Sequence, residues 1–511
     1  MPSTPCISAK TRWKGRAPSA RSASRSGKDA DMIANTSSSP LSPLMRVPVA
    51  IGRVGSAPGL TAALAERAAA WRHEALDADV RELVRQCVLD WVAVCLAGAH
   101  EPLTRMLAEE AREEGGHAQA TVVGQGFATS CRQAALVNGA ASHALDFDDV
   151  NMSFSGHPSV VLVPPLLALA EARGASGPEF MAAFVAGYET LCRIGAAVSP
   201  GHYAAGFHAT ATLGTFGAAA ACAHLLGLRA DDTAVALGIA ATQAAGLKSM
   251  FGTMCKPLHA GKACADGLLA AQLAARGFTS RVDAIEASQG FASTHGPDFH
   301  PDAALRDPAC GLYLRQNLFK YHAACYGTHA AIEAARQLTE RHELCADDVM
   351  RVVVHASAVS DGVCNIADPA SGLEAKFSLR HTVAMAIAGV DTASLASFSD
   401  AQTACPDVQR LRDRVRVELH ADCAELTKAE VLIKTSAGAT LRQRHDAGVP
   451  AADLRAQRAR LERKFHSMAA PVVGTDACEE LIELVNRLDE LPDLSPLAGL
   501  LAGVPVVAAR H

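Results

Sequence analysis

Aromatic residues are scarce. Trp, Tyr and Phe together make up 5% of the 511 residues, with only three Trp and five Tyr. That poverty, set beside recurrent alanine runs, argues against a β-rich fold and for closely packed helices. Paired thiolates are also missing. The 15 cysteines are odd in number and no two stand in a C-x-x-C spacing. Local zinc and iron–sulfur spacings therefore find no support, and buried, reduced thiols are expected. There is no basic excess. Lys and Arg number 47 against 53 Asp and Glu, a formal net charge of −6, so neither nucleic acid nor an anionic membrane is expected as main partner. Long apolar runs are lacking as well. The longest stretch without Asp, Glu, Lys or Arg, residues 194–228, is mostly Ala, Gly and Thr and is broken by His202, His208 and His224. No membrane span is expected from it.

What is present describes a globular chain. Hydrophobic residues make up 49% and charged residues 20%, and the length suits two or three domains. The first 45 residues differ. They are rich in Ser, Pro, Arg and Lys, their first acidic residue is Asp29, and they contain no apolar segment of the kind a secretion signal needs. Their composition is formally that of an organellar transit peptide. The reading preferred here is a disordered leader over 1–50, or an upstream start codon with the working protein beginning near Met32 or Met45. A cytoplasmic location is the expectation.

From about residue 57 the pattern is helical. Val80, Leu83, Val84, Cys87, Val88, Trp91, Val94 and Cys95 fall on one helix face. Further helices are expected over 132–144, 163–173, 177–198, 210–226, 231–245 and 262–276. The character changes near Leu314. Val349–His355, Val415–Leu419, Ala429–Thr435 and Ala439–Arg442 are strand-like, with a helix between them over 377–387. After Leu461 the chain is helical again. The expected fold is mainly α: an all-helical domain built from both chain ends, 51–314 and 461–511, interrupted by an α+β lid over 315–460.

Four clusters carry chemistry. Asp146, Asp148 and Asp149 lie within four positions, and His157 follows. Such a set can ligate a metal or pair a carboxylate with an imidazole base, but it serves equally as helix caps and solvated acids. His208 follows a glycine-bearing turn and opens a helix, whose dipole favours a neutral imidazole; a capping or core histidine is the competing reading. In Lys256-Pro-Leu-His259-Ala-Gly-Lys262, Pro257 suits a first helical position, which sets Lys256 just before a helix N-terminus. His259 and Lys262 then share a face, and the group makes a carboxylate or phosphate site or, failing that, a solvated basic turn. Lys320-Tyr-His322, leading to His329, falls at the expected domain junction.

These clusters, in this order, resemble the MmgE/PrpD family, which includes 2-methylcitrate dehydratase, cis-aconitate decarboxylase and an iminodisuccinate epimerase. The resemblance rests on Asp146-Phe-Asp-Asp, Gly206-Phe-His, Lys256-Pro-Leu-His-Ala-Gly-Lys and the run from Lys262 to Thr279, and it spans about residues 57–500. It implies a homodimer of two-domain subunits and chemistry on small polycarboxylates that needs no cofactor and no metal. Its active-site positions carry over to Asp146, His157, His208, Lys256 and Lys320; the first four are expected to be catalytic, and Lys320, together with His259, Lys262 and His381, to bind substrate. Two positions depart from the family pattern. A Thr common after the aspartate run is Val150 here, and the later Tyr position is His381. The spacing from Asp146 to His157 is also one residue longer. The activity implied first is a hydro-lyase that removes a proton beside a carboxylate and expels water. The alternatives are a carbon-centre epimerase or isomerase, a cis-aconitate-type decarboxylase, and a carboxylate-binding protein without catalysis.

Overall fold

A computed structural model describes residues 59–423 and 425–503. The expected leader over 1–50 lies outside the described residues.

The amino-terminal part is a stack of helices whose ends are set by short polar side chains. Asp77 accepts from the Val80 amide (2.9 Å) at the start of Ala78–Gly98. Ser176 and Glu179 close a reciprocal capping box on Gly177–Val198. The latter has the length and hydropathy of a membrane span, contrary to the sequence reading, but 94% of its apolar window is buried inside the protein. It is a core helix of this bundle. A short hairpin of β1 (Ala120–Val122) and β2 (Phe127–Thr129) lies between helices.

The alanine- and glycine-rich composition explains how closely these helices approach. Helix Cys255–Ala275 packs against Cys131–His143 and Ala209–Leu225. A Cβ added to Gly261 would sit 2.2 Å from the Leu136 carbonyl oxygen, and one added to Gly267 would sit 2.4 Å from the Ala218 Cβ. Larger residues would wedge these three helices apart. Each of the three delivers a side chain to the same place, described below.

The second architectural element is a four-stranded sheet of β3 (Val349–Ser357), β4 (Val415–His420), β5 (Lys428–Thr435) and β6 (Thr440–Asp446), in the order β4-β3-β5-β6. β3 and β4 are parallel, and the other pairs are antiparallel. All four expected strands are present, the last running from Thr440 to Asp446 and so longer than expected. One face buries Val352, Val354, Val431 and Ile433. The chain then returns to the helical part. Helix Leu454–Val473 lies along Ala78–Gly98 and begins seven residues before the boundary drawn at 461. Gln457 donates to Gln86 (2.7 Å), Arg458 pairs with Glu82 (2.6 Å), and Lys464 pairs with Asp90 (2.6 Å). Both chain ends thus build the helical body, as the composition and periodicity had led one to expect.

Candidate active site

The site is organised by the loop between helices Cys131–His143 and Ser159–Arg173. Its aspartates divide their work by direction. Asp149 turns inward and accepts from the Ser159 amide (3.1 Å) and hydroxyl (2.6 Å) at the start of the next helix. Phe147 is fully buried, and its carbonyl accepts from Lys464 (2.6 Å). Asp148, 1% exposed, faces two imidazoles: His143 Nδ1 lies 2.9 Å from its Oδ2 and 3.1 Å from its Oδ1, and His157 Nδ1 lies 2.8 Å from Oδ2. Asp146 points the other way. Its backbone sits at φ 51°, a left-handed conformation uncommon outside glycine. Such strain persists only where the surroundings impose it. Here a two-way backbone pairing of Val150 with Leu318 (2.8 and 2.9 Å) holds the loop to the segment that carries Lys320.

Two ammonium groups converge on Asp146. Lys256 Nζ lies 2.8 Å and Lys320 Nζ 3.1 Å from the same carboxylate oxygen, and Lys320 also donates to the Asp146 carbonyl (2.5 Å). His157 Nε2 is 3.6 Å from that oxygen. Burial alone would raise the Asp146 carboxyl, but Lys256 and then Lys320 outweigh it and hold it well below the usual range.

A row of rings backs this group. His208 caps helix Ala209–Leu225, stacks on His143 with centroids 5.8 Å apart, and meets the edge of Phe251 at 5.0 Å. Its Nδ1 lies 3.2 Å from His259 Nδ1. Burial, then His143 and Lys256, push His208 well below the ordinary imidazole value. The direction is the one the helix dipole suggests; the causes are burial and neighbouring positive charge. Burial likewise lowers His143 to about 4, with Asp148 opposing in part. Both shifts favour the neutral ring, and the same shifts make each ring a weaker base.

Six of the eight expected residues therefore meet: Asp146, His157, His208, Lys256, Lys320 and His259. Two do not. Lys262 is half exposed and pairs with Asp266 at 2.5 Å. Six positions beyond Lys256 at roughly 100° per residue, it lies about 240° around the helix and faces away. His381 is 1% exposed on helix Leu379–Ile387, and burial followed by Arg412 lowers it to about 4. No described contact joins it to the cluster. A smaller correction concerns Pro257. The helix begins at Cys255, so Lys256 occupies its second position and Pro257 its third.

Three participants escaped the sequence reading. His143 sits in an apolar helical run and resembles a core residue there. Asp148 was grouped with its neighbours as a possible metal ligand or imidazole partner but was not singled out as a site residue. Lys464 is separated by more than 300 residues from the loop it supports, with no local signal at all.

His143, Asp146, Asp148 and His157 offer ligand atoms within 4.8 Å of one another, the spacing a metal ion would need. Asp146 is already shared by two ammonium groups, however, so a cation would have to displace both. The two ammonium groups occupy the place a cation would take. A cavity of about 520 Å³ lined by Tyr321, Arg336, Arg463 and Lys464 adjoins the site through Lys464 but does not contain Asp146.

Residues 62–304 match the model of the MmgE/PrpD N-terminal domain, and residues 322–490 match that of the MmgE/PrpD C-terminal domain. A cis-aconitate decarboxylase of Homo sapiens is 31% identical over 386 residues, covering 72% of this chain and 79% of that protein. A cis-aconitate decarboxylase of Mus musculus is 28% identical over 444 residues, 83% of this chain and 89% of its own. One of Aspergillus terreus is 27% identical over 471 residues, 87% of this chain and 96% of its own.

Proposed function

The chain belongs to the MmgE/PrpD family, and from that premise we propose that it is a lyase for a small polycarboxylate, releasing CO2 from an acid of the cis-aconitate type. The observation that carries the proposal is the convergence of Lys256 and Lys320 on one carboxylate oxygen beside neutral imidazoles. A substrate carboxylate would compete with Asp146 for those cations.

Such an acid has its departing carboxylate attached one carbon from a C=C bond. When CO2 leaves, the electron pair of the broken C–C bond forms a new C=C. The pair of the old C=C then takes a proton. The charge that develops is shared with a carboxylate still on the molecule, and that carboxylate is where the lysines act. The substrate thus contains its own electron sink, and the reaction as proposed needs no cofactor. His157, held between Asp146 and Asp148, is the imidazole best placed to deliver the proton.

A second reading, loss of water from a hydroxy-acid, has one observation in its favour. Elimination needs a base, whereas decarboxylation does not, and His208, kept in its unprotonated form by burial, is available for that task. Product analysis by NMR on cis-aconitate and on 2-methylcitrate separates the two. Evolved CO2 supports the first reading, a new C=C without CO2 the second, and stereochemical change alone an epimerase. A homodimer in the cytoplasm is the proposed setting, on the family resemblance alone.

A further inference from the structure

The face of the sheet opposite its apolar core carries a second group of convergent imidazole and carboxylate side chains. Parallel register sets Glu418 of β4 directly beside His355 of β3, and period-two alternation returns His420 to the same face of β4. His355 Nδ1 lies 2.8 Å from His420 Nε2 and 3.6 Å from Glu418 Oε2. All three ligand atoms fall within 4.8 Å of one another. The other Glu418 oxygen is 3.3 Å from Arg416 Nε, which orients the carboxylate. The group opens onto a groove of about 780 Å³ that Asp422 and Cys423 also line. None of these residues takes part in the site around Asp146.

We propose that His355, Glu418 and His420 form a two-imidazole, one-carboxylate site for a zinc-class divalent cation, clipping β4 to β3.

Two observations carry this. The first is the donor set. Imidazole nitrogen with a carboxylate oxygen suits zinc and its neighbours and gives little to magnesium or calcium. The second is the spacing. Ligands at about 2.0–2.1 Å from a shared ion stand roughly 3.0 Å apart at right angles and roughly 3.4 Å apart in a tetrahedron. The observed 2.8 and 3.6 Å bracket those values, and the third pair, His420 with Glu418, lies within 4.8 Å. Two imidazole nitrogens facing each other at hydrogen-bond distance must share one proton, and the cation would take that proton's place. Remaining positions would be filled by water from the groove. Because β4 is an edge strand held to the sheet only through β3, a bond spanning the two strands would tie down the sheet's parallel margin.

The test is titration of the full, tag-free, chelator-treated chain with Zn2+, read by calorimetry, and with Co2+, read by its visible absorption. Wild type should take up one equivalent with micromolar affinity or better. His355→Ala, His420→Gln and Glu418→Gln should each weaken it by about 10–100-fold or more. Helical circular dichroism and turnover of the acid substrate should stay as in wild type, which separates this proposal from the one about the active site. Glu418→Gln, the mildest change, keeps the test valid should a histidine variant fold poorly. Absence of micromolar binding in wild type would overturn the proposal. So would binding that survives all three variants and disappears in Asp148→Asn, because the ion would then sit at the other cluster.

Discussion

Replacing Asp148 by Asn is the perturbation that probes the site's design most deeply. The carboxylate is buried, accepts from His143 Nδ1 at 2.9 and 3.1 Å, and lies 2.8 Å from His157 Nδ1. An amide of the same shape has one acceptor oxygen and one NH2 donor. Both imidazoles meet the same oxygen, Oδ2, so an amide oxygen there faces both, and the NH2 that replaces Oδ1 then faces His143 Nδ1 at 3.1 Å, donor against donor. Losing a hydrogen bond to a charged group costs about 1.5–3 kcal/mol, and stranding a buried donor about 1–3 kcal/mol. Tautomer switching would relieve part of this, so a net loss of about 2–4 kcal/mol in unfolding free energy is expected. The switch also moves the proton of the imidazole that faces the NH2 to its other nitrogen. Elsewhere, an Asp→Asn change that imposes the wrong tautomer on a catalytic imidazole slows turnover about 10⁴-fold, and a loss of about 10³–10⁴ is expected here. Histidine ring 15N shifts would report the tautomer, urea unfolding the stability, and CO2 release the rate.

The neighbouring aspartate supplies the control. Burial, with Asp90 adding to it, raises Asp149 to about 7, so the group is about half protonated at neutrality. Its partners are the amide and hydroxyl of Ser159, and an asparagine can serve both. Asp149→Asn should change stability by no more than about 1 kcal/mol and turnover by a few-fold at most. Equal effects at 148 and 149, or an Asp148→Asn enzyme within ten-fold of wild type, would refute the reasoning.

Three further outcomes follow from the same geometry. Lys256→Ala should abolish turnover, whereas Lys262→Ala should leave it intact and cost about 1 kcal/mol, because all it loses is a pair with the buried Asp266 that is half open to solvent on the lysine side; steady-state rates and thermal melts of both variants decide this. Gly261→Ala forces a Cβ to within 2.2 Å of a backbone carbonyl and should destabilise by about 1–3 kcal/mol or more, seen as a lowered Tm with activity lost as the helices carrying His143 and Lys256 separate. His143, lowered by burial from 6.5 to about 4, contributes stability that is present above pH 6.5 and lost as pH falls toward 4, at about 1.4 kcal/mol per pH unit. In His143→Asn the fall in unfolding free energy between pH 6.5 and 4.5 should be shallower than in wild type, and parallel curves would show that this ring is not titrating as described.

Local order was legible in the sequence; long-range assembly was not. Helix 177–198 was read with both its ends because its apolar content is continuous and Gly and Ser punctuate it. The β-branched runs of β3 and β5 announced themselves, but nothing in them set the order β4-β3-β5-β6, which depends on pairing across more than 60 residues. In the site, Asp146 and Lys256 were visible because each sits in a compact polar motif. His143 was hidden by the apolar helix around it, and Lys464 by distance along the chain. Lys262 was over-read because the face it shares with His259 does not extend to Lys256, and its ammonium is taken by Asp266 one turn on. His381 was drawn in by the family pattern, and burial beside Arg412 is what the fold gives it.

The most direct test of the central claim is to incubate the protein with cis-aconitate in D2O and follow substrate and product by NMR, with Lys256→Ala in parallel. The account predicts loss of CO2 and a shifted double bond. One deuterium should appear on the carbon that received the proton, and none of this should occur in the variant. Unchanged cis-aconitate with wild type, or turnover that persists undiminished in Lys256→Ala, would contradict it.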